Sequence, residues 1–189
     1  MNTKFTSLCA TLLLAAVCPL CAADPEKKTA APDKSDTGLP PAKPGSAEFE
    51  RMKTLVGTWT GKSDMGSGPV DMKIEYRLIA NGSVLEERIA PGTPMEMVSM
   101  YYDKAGKLAM THYCVLGNRP EMALKSSDAT SITFDLDAAC CAFDTKKEAH
   151  MAGTVIKFND ANTITTSCKA VIDGKESAGH ETVLKRVKK

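Results

Sequence analysis

The sequence predicts an all-β protein, a single antiparallel meander that closes into a barrel of about ten strands after a short N-terminal helix. From Val70 to Leu78 every second residue is apolar and the residues between them are charged, which is the period of a strand with one buried face. Asn81-Gly82, a preferred pair for a two-residue hairpin turn, follows directly. Apolar alternation and turn residues then recur to the C-terminus without a second helical pattern, which indicates hairpin after hairpin.

The elements can be placed in order along residues 46–189. Ser46 caps a short helix whose Phe49, Met52 and Val56 share one face. Strands are expected near residues 57–62, 69–79, 83–90, 96–102, 108–116, 121–126, 131–136, 151–158, 163–172 and 177–187. Turn residues separate several of them at Asn81-Gly82, Lys104-Ala105-Gly106, Asp160-Ala161-Asn162 and Asp173-Gly174.

The first hairpin allows a register to be predicted. With Asn81 and Gly82 as the two turn residues, the inner face pairs Leu78 with Leu85, Tyr76 with Glu87, and Ile74 with Ile89. The outer face pairs Arg77 with Glu86 and Glu75 with Arg88. Both outer pairs join opposite charges, which supports the register independently of the apolar pattern. The same register places the Glu87 carboxylate on the inner face, opposite Tyr76.

Three later turns predict further pairings. A three-residue turn at Lys104-Ala105-Gly106 sets Tyr102, Met100 and Val98 opposite Leu108, Met110 and His112, with Cys114 continuing that face. A turn at Asp160-Ala161-Asn162 sets Phe158, Ile156 and Thr154 opposite Ile164, Thr166 and Cys168. If Asp173-Gly174 is a two-residue turn, His180 lies opposite Ser167 on the outer face.

Residues 1–23 have the organisation of a signal peptide. Lys4 supplies the positive charge, Phe5 to Leu20 is apolar, and Cys21-Ala22-Ala23 offers small residues for cleavage after Ala23. The apolar run is short for a membrane span, and Val17 and Leu20 stand where a lipoprotein signal would have small residues. We therefore expect a secreted or periplasmic protein rather than a lipoprotein.

Residues 24–45 are expected to form a disordered linker, because they are rich in Pro and Lys and contain almost no large apolar side chain. Residues 46–189 remain as one barrel domain. Without residues 1–23 the chain has 23 basic and 23 acidic residues. This balance argues against a nucleic acid or an anionic membrane as the partner.

Four cysteines lie outside the signal peptide, and an oxidising compartment favours their pairing. The disulfide candidates are Cys114, Cys140, Cys141 and Cys168. A bridge between the neighbours Cys140 and Cys141 is sterically awkward, so we expect one of them to pair with a distant cysteine.

The triplet Gly57-Thr58-Trp59 after a short helix resembles the glycine-x-tryptophan signature of lipocalin-like (calycin) barrels, in which the tryptophan closes the base of the barrel. The resemblance implies a carrier of small apolar ligands or haem. The segments 110–114 and 117–122 resemble a group of uncharacterised exported bacterial lipocalin-like domains, with Arg119 in place of a glutamine and Glu121 in place of an arginine. More distantly, the chain is similar to nitrobindin-type ten-stranded barrels, which hold haem iron through a histidine.

The candidate ligand-binding residues are the polar groups predicted on the inner face or at the barrel mouth, together with flexible methionines. They are Glu87, Tyr76, His112, Arg119, Met100 and Met110. Glu87 and Tyr76 form an acid and its hydrogen-bond partner, and Arg119 is a candidate for binding a carboxylate or phosphate through two hydrogen bonds. Methionine adapts its shape to an irregular ligand. Each of these residues also has a structural reading as core or turn residue.

These observations predict a binding protein for a small apolar or amphipathic molecule, without a cofactor or a metal. Two alternatives stay open. One is a haem-binding nitrobindin-like protein with His150 or His112 as the iron ligand, and the other is a structural or interaction barrel with a filled core. The histidines show no H-x-H or H-x-x-H spacing, and no serine stands in a glycine-flanked nucleophile elbow. We therefore expect binding rather than catalysis.

Overall fold

The computed structural model describes residues 38, 40–64, 68–177 and 179–188, and every structural statement below refers to these residues. The chain divides into Met1–Leu39 and Pro40–Lys189. The signal peptide predicted at 1–23 and most of the linker predicted at 24–45 therefore lie outside the described residues. The barrel domain predicted from residue 46 lies within the second unit.

A closed antiparallel barrel of ten strands forms the domain, which confirms the predicted fold class. The elements are α1 (Ala47–Lys53), β1 (Gly57–Asp64), β2 (Pro69–Ile79), β3 (Val84–Ile89), β4 (Met97–Lys104), β5 (Lys107–Tyr113), β6 (Glu121–Ser127), β7 (Ser131–Leu136), β8 (His150–Asp160), β9 (Thr163–Ile172), β10 (Lys175–Glu176) and β11 (His180–Arg186). Consecutive strands pair from β1 to β9, and β11 joins β9 to β1 and so closes the ring. The short β10 pairs only with β9. No helix in the described part of the chain is long and apolar enough to cross a membrane.

The register predicted for the hairpin β2–β3 is confirmed at every pair. Tyr76 lies opposite Glu87 on the inner face, and Arg77 lies opposite Glu86 on the outer face. Asn81 (φ 53°) and Gly82 (φ 77°) both adopt positive φ, as the predicted two-residue turn requires. The alternating pattern and the turn chemistry agree here, and together they determine which side chains enter the barrel.

The register predicted for the hairpin β4–β5 is wrong by one residue. Ala105 and Gly106 alone form the turn, both with positive φ, and Lys104 pairs with Lys107. His112 therefore lies opposite Ser99 instead of Val98, and Met110 lies opposite Tyr101 instead of Met100. Because side chains alternate along a strand, this difference of one residue places every residue of β4 on the face opposite to the predicted one.

The pairing predicted for β8 and β9 is confirmed, with Thr154 opposite Cys168. The face predicted for His180 is wrong, although Asp173-Gly174 does form the expected turn. The pairing shifts by one residue between β10 and β11, so His180 lies opposite Cys168 instead of Ser167. Gly179 permits this shift, since a Cβ there would approach Ser167 Oγ to 2.8 Å.

One end of the barrel is closed by α1 and the tryptophan of β1. Phe49, Met52 and Leu55 pack into this end with Trp59, which is 1% exposed. Trp59 Nε1 donates a hydrogen bond of 2.7 Å to the Leu55 carbonyl. The guanidinium of Arg186 lies 4.2 Å above the indole ring and donates to the carbonyls of Thr54 and Val56, each at 2.7 Å. This arrangement agrees with the base-closing role that the lipocalin-like resemblance implies for the tryptophan.

Replacing Trp59 with phenylalanine tests this closure. The Trp59→Phe variant leaves the buried Leu55 carbonyl without its donor and leaves space in the base, so we expect the free energy of unfolding to fall by about 2–3 kcal/mol. Urea denaturation followed by circular dichroism measures the change. Tyr113→Phe is the control, because Tyr113 is 47% exposed, and it is expected to stay within about 0.5 kcal/mol of the parent. Equal stability of the two variants would contradict a structural role for the indole nitrogen.

Candidate functional site

A cavity of about 350 Å³ occupies the half of the barrel away from α1. Its walls come from the strand ends that lie far from Trp59. The apolar lining includes Met72, Ile74, Ile89, Met97, Met151 and Ile156, and the polar lining includes Glu87, Ser99, His112, Thr154, Thr166 and Thr182. The other lining residues are Ser63, Tyr101, Cys114, Leu116, Cys168, Ala170, Ile172, Ser177 and His180. The lining is mostly apolar, with its one carboxylate on β3. This volume lies in the range of small-molecule sites in proteins.

Glu87 is the centre of a hydrogen-bond network in the barrel. Its carboxylate accepts 2.6 Å from the Tyr76 hydroxyl on Oε1 and 2.9 Å from the Tyr101 hydroxyl on Oε2. Ser99 on β4 lies directly opposite Glu87. β2 and β4 flank β3 directly, so the barrel brings both tyrosine donors to one acid. Glu87 itself is 5% exposed.

Burial dominates the protonation equilibria in this network. It raises the pKa of Glu87, while the hydrogen bonds from Tyr76, Ser99 and Tyr101 act in the opposite direction. Burial, followed by the charge of Glu87, raises the pKa of Tyr76 and of Tyr101 well above the ordinary value. Both phenols therefore keep their protons and remain donors to the acid.

His112 continues the network from β5. Its Nδ1 lies 3.0 Å from Ser99 Oγ, and burial lowers the pKa of His112 to about 4, so that the ring is neutral at neutral pH. Ser99 also lies directly opposite Glu87, so one hydroxyl stands between the imidazole and the acid. Nε2 is not among the enclosed, unpaired atoms of the described residues, and the side chain lines the cavity.

The predicted site residues are only partly brought together. Glu87 and His112 line the cavity, and Tyr76 lies directly behind Glu87. Met110 is buried in the core below it, whereas Met100 lies on the outer face of β4 opposite Glu86. The remaining candidate, Arg119, is half exposed in the loop before β6, where its Nε lies 3.4 Å from Glu121 Oε1. Met100, Met110 and Arg119 do not line this cavity.

The three histidines occupy different environments. His112 and His180 both line the cavity, His180 near its mouth. His150 is buried under the loop between β7 and β8, with Nδ1 2.6 Å from the Glu148 carbonyl and its ring 5.3 Å from that of Phe143. It does not share the cavity with the other two. Within the described ranges, no three side chains of His, Cys, Asp or Glu are placed to hold a metal ion.

All four predicted disulfide candidates are free thiols in the structure. Cys114 and Cys168 face the cavity, and burial, followed by the proximity of Cys114 and Glu87, raises the pKa of Cys168 to about 11. Cys140 and Cys141 lie in the loop between β7 and β8, with Lys104 Nζ 3.2 Å from Cys140 Sγ. Their pairing with a distant cysteine stays a prediction.

Sequence reasoning missed Ser99, Tyr101 and His180. The predicted register placed the face of β4 that carries Ser99 and Tyr101 outside the barrel. Ala105-Gly106, taken as a two-residue turn, would have placed both residues inside. His180 was missed because the shift before β11 involves no turn residue pair. Gly179 was the only residue in the sequence that indicated the shift.

The fold and the cavity define a ten-stranded β-barrel with one closed end and one accessible end. Among solved structures, the chain is similar to that of Rv2717c from M. tuberculosis, with a TM-score of 0.50 and 12% sequence identity. The match covers 77% of this chain and 100% of that chain, and at this identity it shows the fold alone. The chain matches no protein-family model and no curated protein.

The buried His112 predicts a specific loss of stability in acid. Its pKa is about 4 in the folded protein and about 6.5 in an unfolded chain, so the unfolded state binds more protons between these values. We expect stability to be fully present above pH 6.5 and to fall by about 3 kcal/mol as the pH drops to 4. In the His112→Asn variant, urea denaturation across this window is expected to show a correspondingly smaller fall.

The control for this measurement is His180→Asn, because His180 is exposed at the mouth. This variant is expected to keep the acid dependence of the parent protein. Parallel stability curves for the parent and His112→Asn would show that His112 is not buried as described.

Proposed function

We propose that this protein is a binding barrel that encloses a small apolar or amphipathic molecule. The observation that carries the proposal is the cavity of about 350 Å³, whose surface is mostly apolar and which reaches the buried Glu87–His112 network. A filled core would be expected of a structural barrel, so the cavity favours binding. Export through the predicted signal peptide at 1–23 belongs to the same proposal.

The cavity walls suggest how such a molecule is held. Met72, Met97 and Met151 supply flexible side chains that can close around an irregular apolar body and exclude water. The polar end of the molecule is then directed to Glu87 and His112, because these side chains are held in place by their hydrogen bonds. Binding thus depends on apolar burial, and the polar network orients the molecule.

The fluorescent probe N-phenyl-1-naphthylamine tests the cavity directly. Its emission rises when it leaves water, so we expect a saturable increase on titration into the full chain, with a dissociation constant in the range of about 1–100 μM. The Thr166→Trp variant places a large ring in the cavity, because Thr166 lines its wall. We expect this variant to lose the signal.

Lys169→Trp is the matched control, since Lys169 lies on the outer face of the same strand and is exposed. It is expected to bind the probe as the parent does. The proposal fails if the parent gives no saturable signal, or if Thr166→Trp and Lys169→Trp bind equally.

Haem is the second candidate, favoured by one specific observation. His112 and His180 both line the cavity, and Ser99 bonds Nδ1 of His112 rather than its Nε2. A bound haem would supply an iron centre that coordinates small gaseous ligands. The residues of the chain would hold it through a histidine nitrogen and apolar walls.

Adding hemin to the purified protein distinguishes the two candidates. Haem binding is expected to produce a shifted Soret band that is lost in His112→Ala or His180→Ala. His150→Ala is the control, because His150 lies outside the cavity and is expected to leave the band unchanged. Absence of a shifted band in the parent protein would reject haem and leave the apolar-ligand proposal standing.

A further inference from the structure

The described part of the cavity wall contains an acidic side chain but no lysine or arginine, and this imbalance affects which molecules the cavity can bind. Among the described residues that line it, Glu87 is the one acid, and no lysine or arginine is present. The cation predicted for this role, Arg119, pairs with Glu121 outside the cavity. The negative charge of Glu87 is therefore stabilised by neutral hydroxyl donors and not by an ion pair.

The direction of the hydrogen bonds determines what remains for a ligand. Tyr76 and Tyr101 each donate to Glu87. Ser99 lies directly opposite Glu87, and its hydroxyl bonds Nδ1 of His112 at 3.0 Å. What faces the cavity is the Glu87 carboxylate, whose lone pairs accept hydrogen bonds, together with the Nε2 edge of His112.

Two of the three threonines of the wall already donate within the protein. The Thr154 hydroxyl donates to the Ser167 carbonyl at 2.9 Å, and the Thr182 hydroxyl donates to Ser63 Oγ at 2.9 Å. The wall, as far as the described residues form it, therefore offers neutral hydroxyls but no lysine or arginine. A ligand carboxylate entering this cavity would lose its hydration without finding a cation, and it would lie near a second buried carboxylate.

We propose that the cavity selects apolar molecules whose polar end donates hydrogen bonds, namely amines and alcohols, and rejects apolar carboxylates. This inference rests on the proposed binding function and names its ligand class. A protonated amine is favoured over an alcohol, because its positive charge adds attraction to the hydrogen bond that both can donate to the Glu87 carboxylate.

Three probes with the same eight-carbon chain test the selection. Octylamine, octan-1-ol and octanoate are each titrated into the full chain loaded with N-phenyl-1-naphthylamine at pH 7.5, and probe displacement is measured. We expect octylamine and octan-1-ol to displace the probe, with octanoate weaker than octylamine by about tenfold or more. Octanoate binding as tightly as octylamine would overturn the inference while leaving the binding function intact.

Two variants connect the selection to the network. Glu87→Gln removes the charge with little change in volume, so the gap between octylamine and octanoate is expected to shrink about tenfold. Glu86→Gln is the matched control, because Glu86 lies on the outer face bonded to Arg77 and is expected to keep the parent gap. An unchanged gap in Glu87→Gln would overturn the inference.

Thr166→Lys keeps the test decisive if Glu87→Gln does not fold. It places a cation on the cavity wall and leaves the network in place, so octanoate is expected to gain affinity relative to octylamine. An unchanged order of affinities in a folded Thr166→Lys protein would count against the inference. Failure of the parent to bind the fluorescent probe or any of the three chains would reject the binding function itself.

Discussion

The buried carboxylate of Glu87 is the constraint on which the half of the barrel that contains the cavity depends. An acid removed from water costs several kcal/mol unless the protein replaces its hydration. Here the hydroxyls of Tyr76 and Tyr101 replace it, from the two strands that flank β3. A slip of one residue in either pairing would withdraw these donors and turn Glu86 or Arg88 inward instead. The acid therefore makes the register of three neighbouring strands specific, in addition to its effect on the cavity.

The closed base explains why the cavity lies where it does. Trp59, Leu55 and the side chains of α1 fill one end, and the hydrogen bond from Trp59 Nε1 ties the indole to the segment that enters β1. Arg186 at the end of β11 covers the same ring, so the first and last strands of the barrel meet at this closure. The packed core ends at Tyr101, whose side chain also lines the cavity. The polar network thus lies at the boundary between the filled core and the accessible space.

The sequence predicted the strands and the first hairpin well because two independent signals agreed there, namely strict alternation and an Asn-Gly turn. Glu87 and Tyr76 are predicted on the inner face for that reason, and the structure confirms this placement. His112 also lies on the inner face as predicted, although the register that placed it there is wrong. The hairpin β4–β5 could not be settled in the same way, since Met100 and Tyr102 on one face are as apolar as Met97 and Tyr101 on the other. A glycine at 106 fits a two-residue or a three-residue turn. Arg119 was a candidate by composition alone, and its pairing with Glu121 depends on tertiary structure.

The difference between the predicted and the observed register of β4 and β5 has a chemical consequence. With Met100 inside, Glu87 and His112 would have been two separate polar groups, each needing its own partner. With Ser99 inside, one hydroxyl lies between them, directly opposite Glu87 and 3.0 Å from His112 Nδ1. The acid and the imidazole therefore belong to one polar cluster in the cavity wall. A ligand that enters the cavity meets this cluster with its polar end, so the hydrogen-bonding character of that end matters as much as the shape of the apolar body.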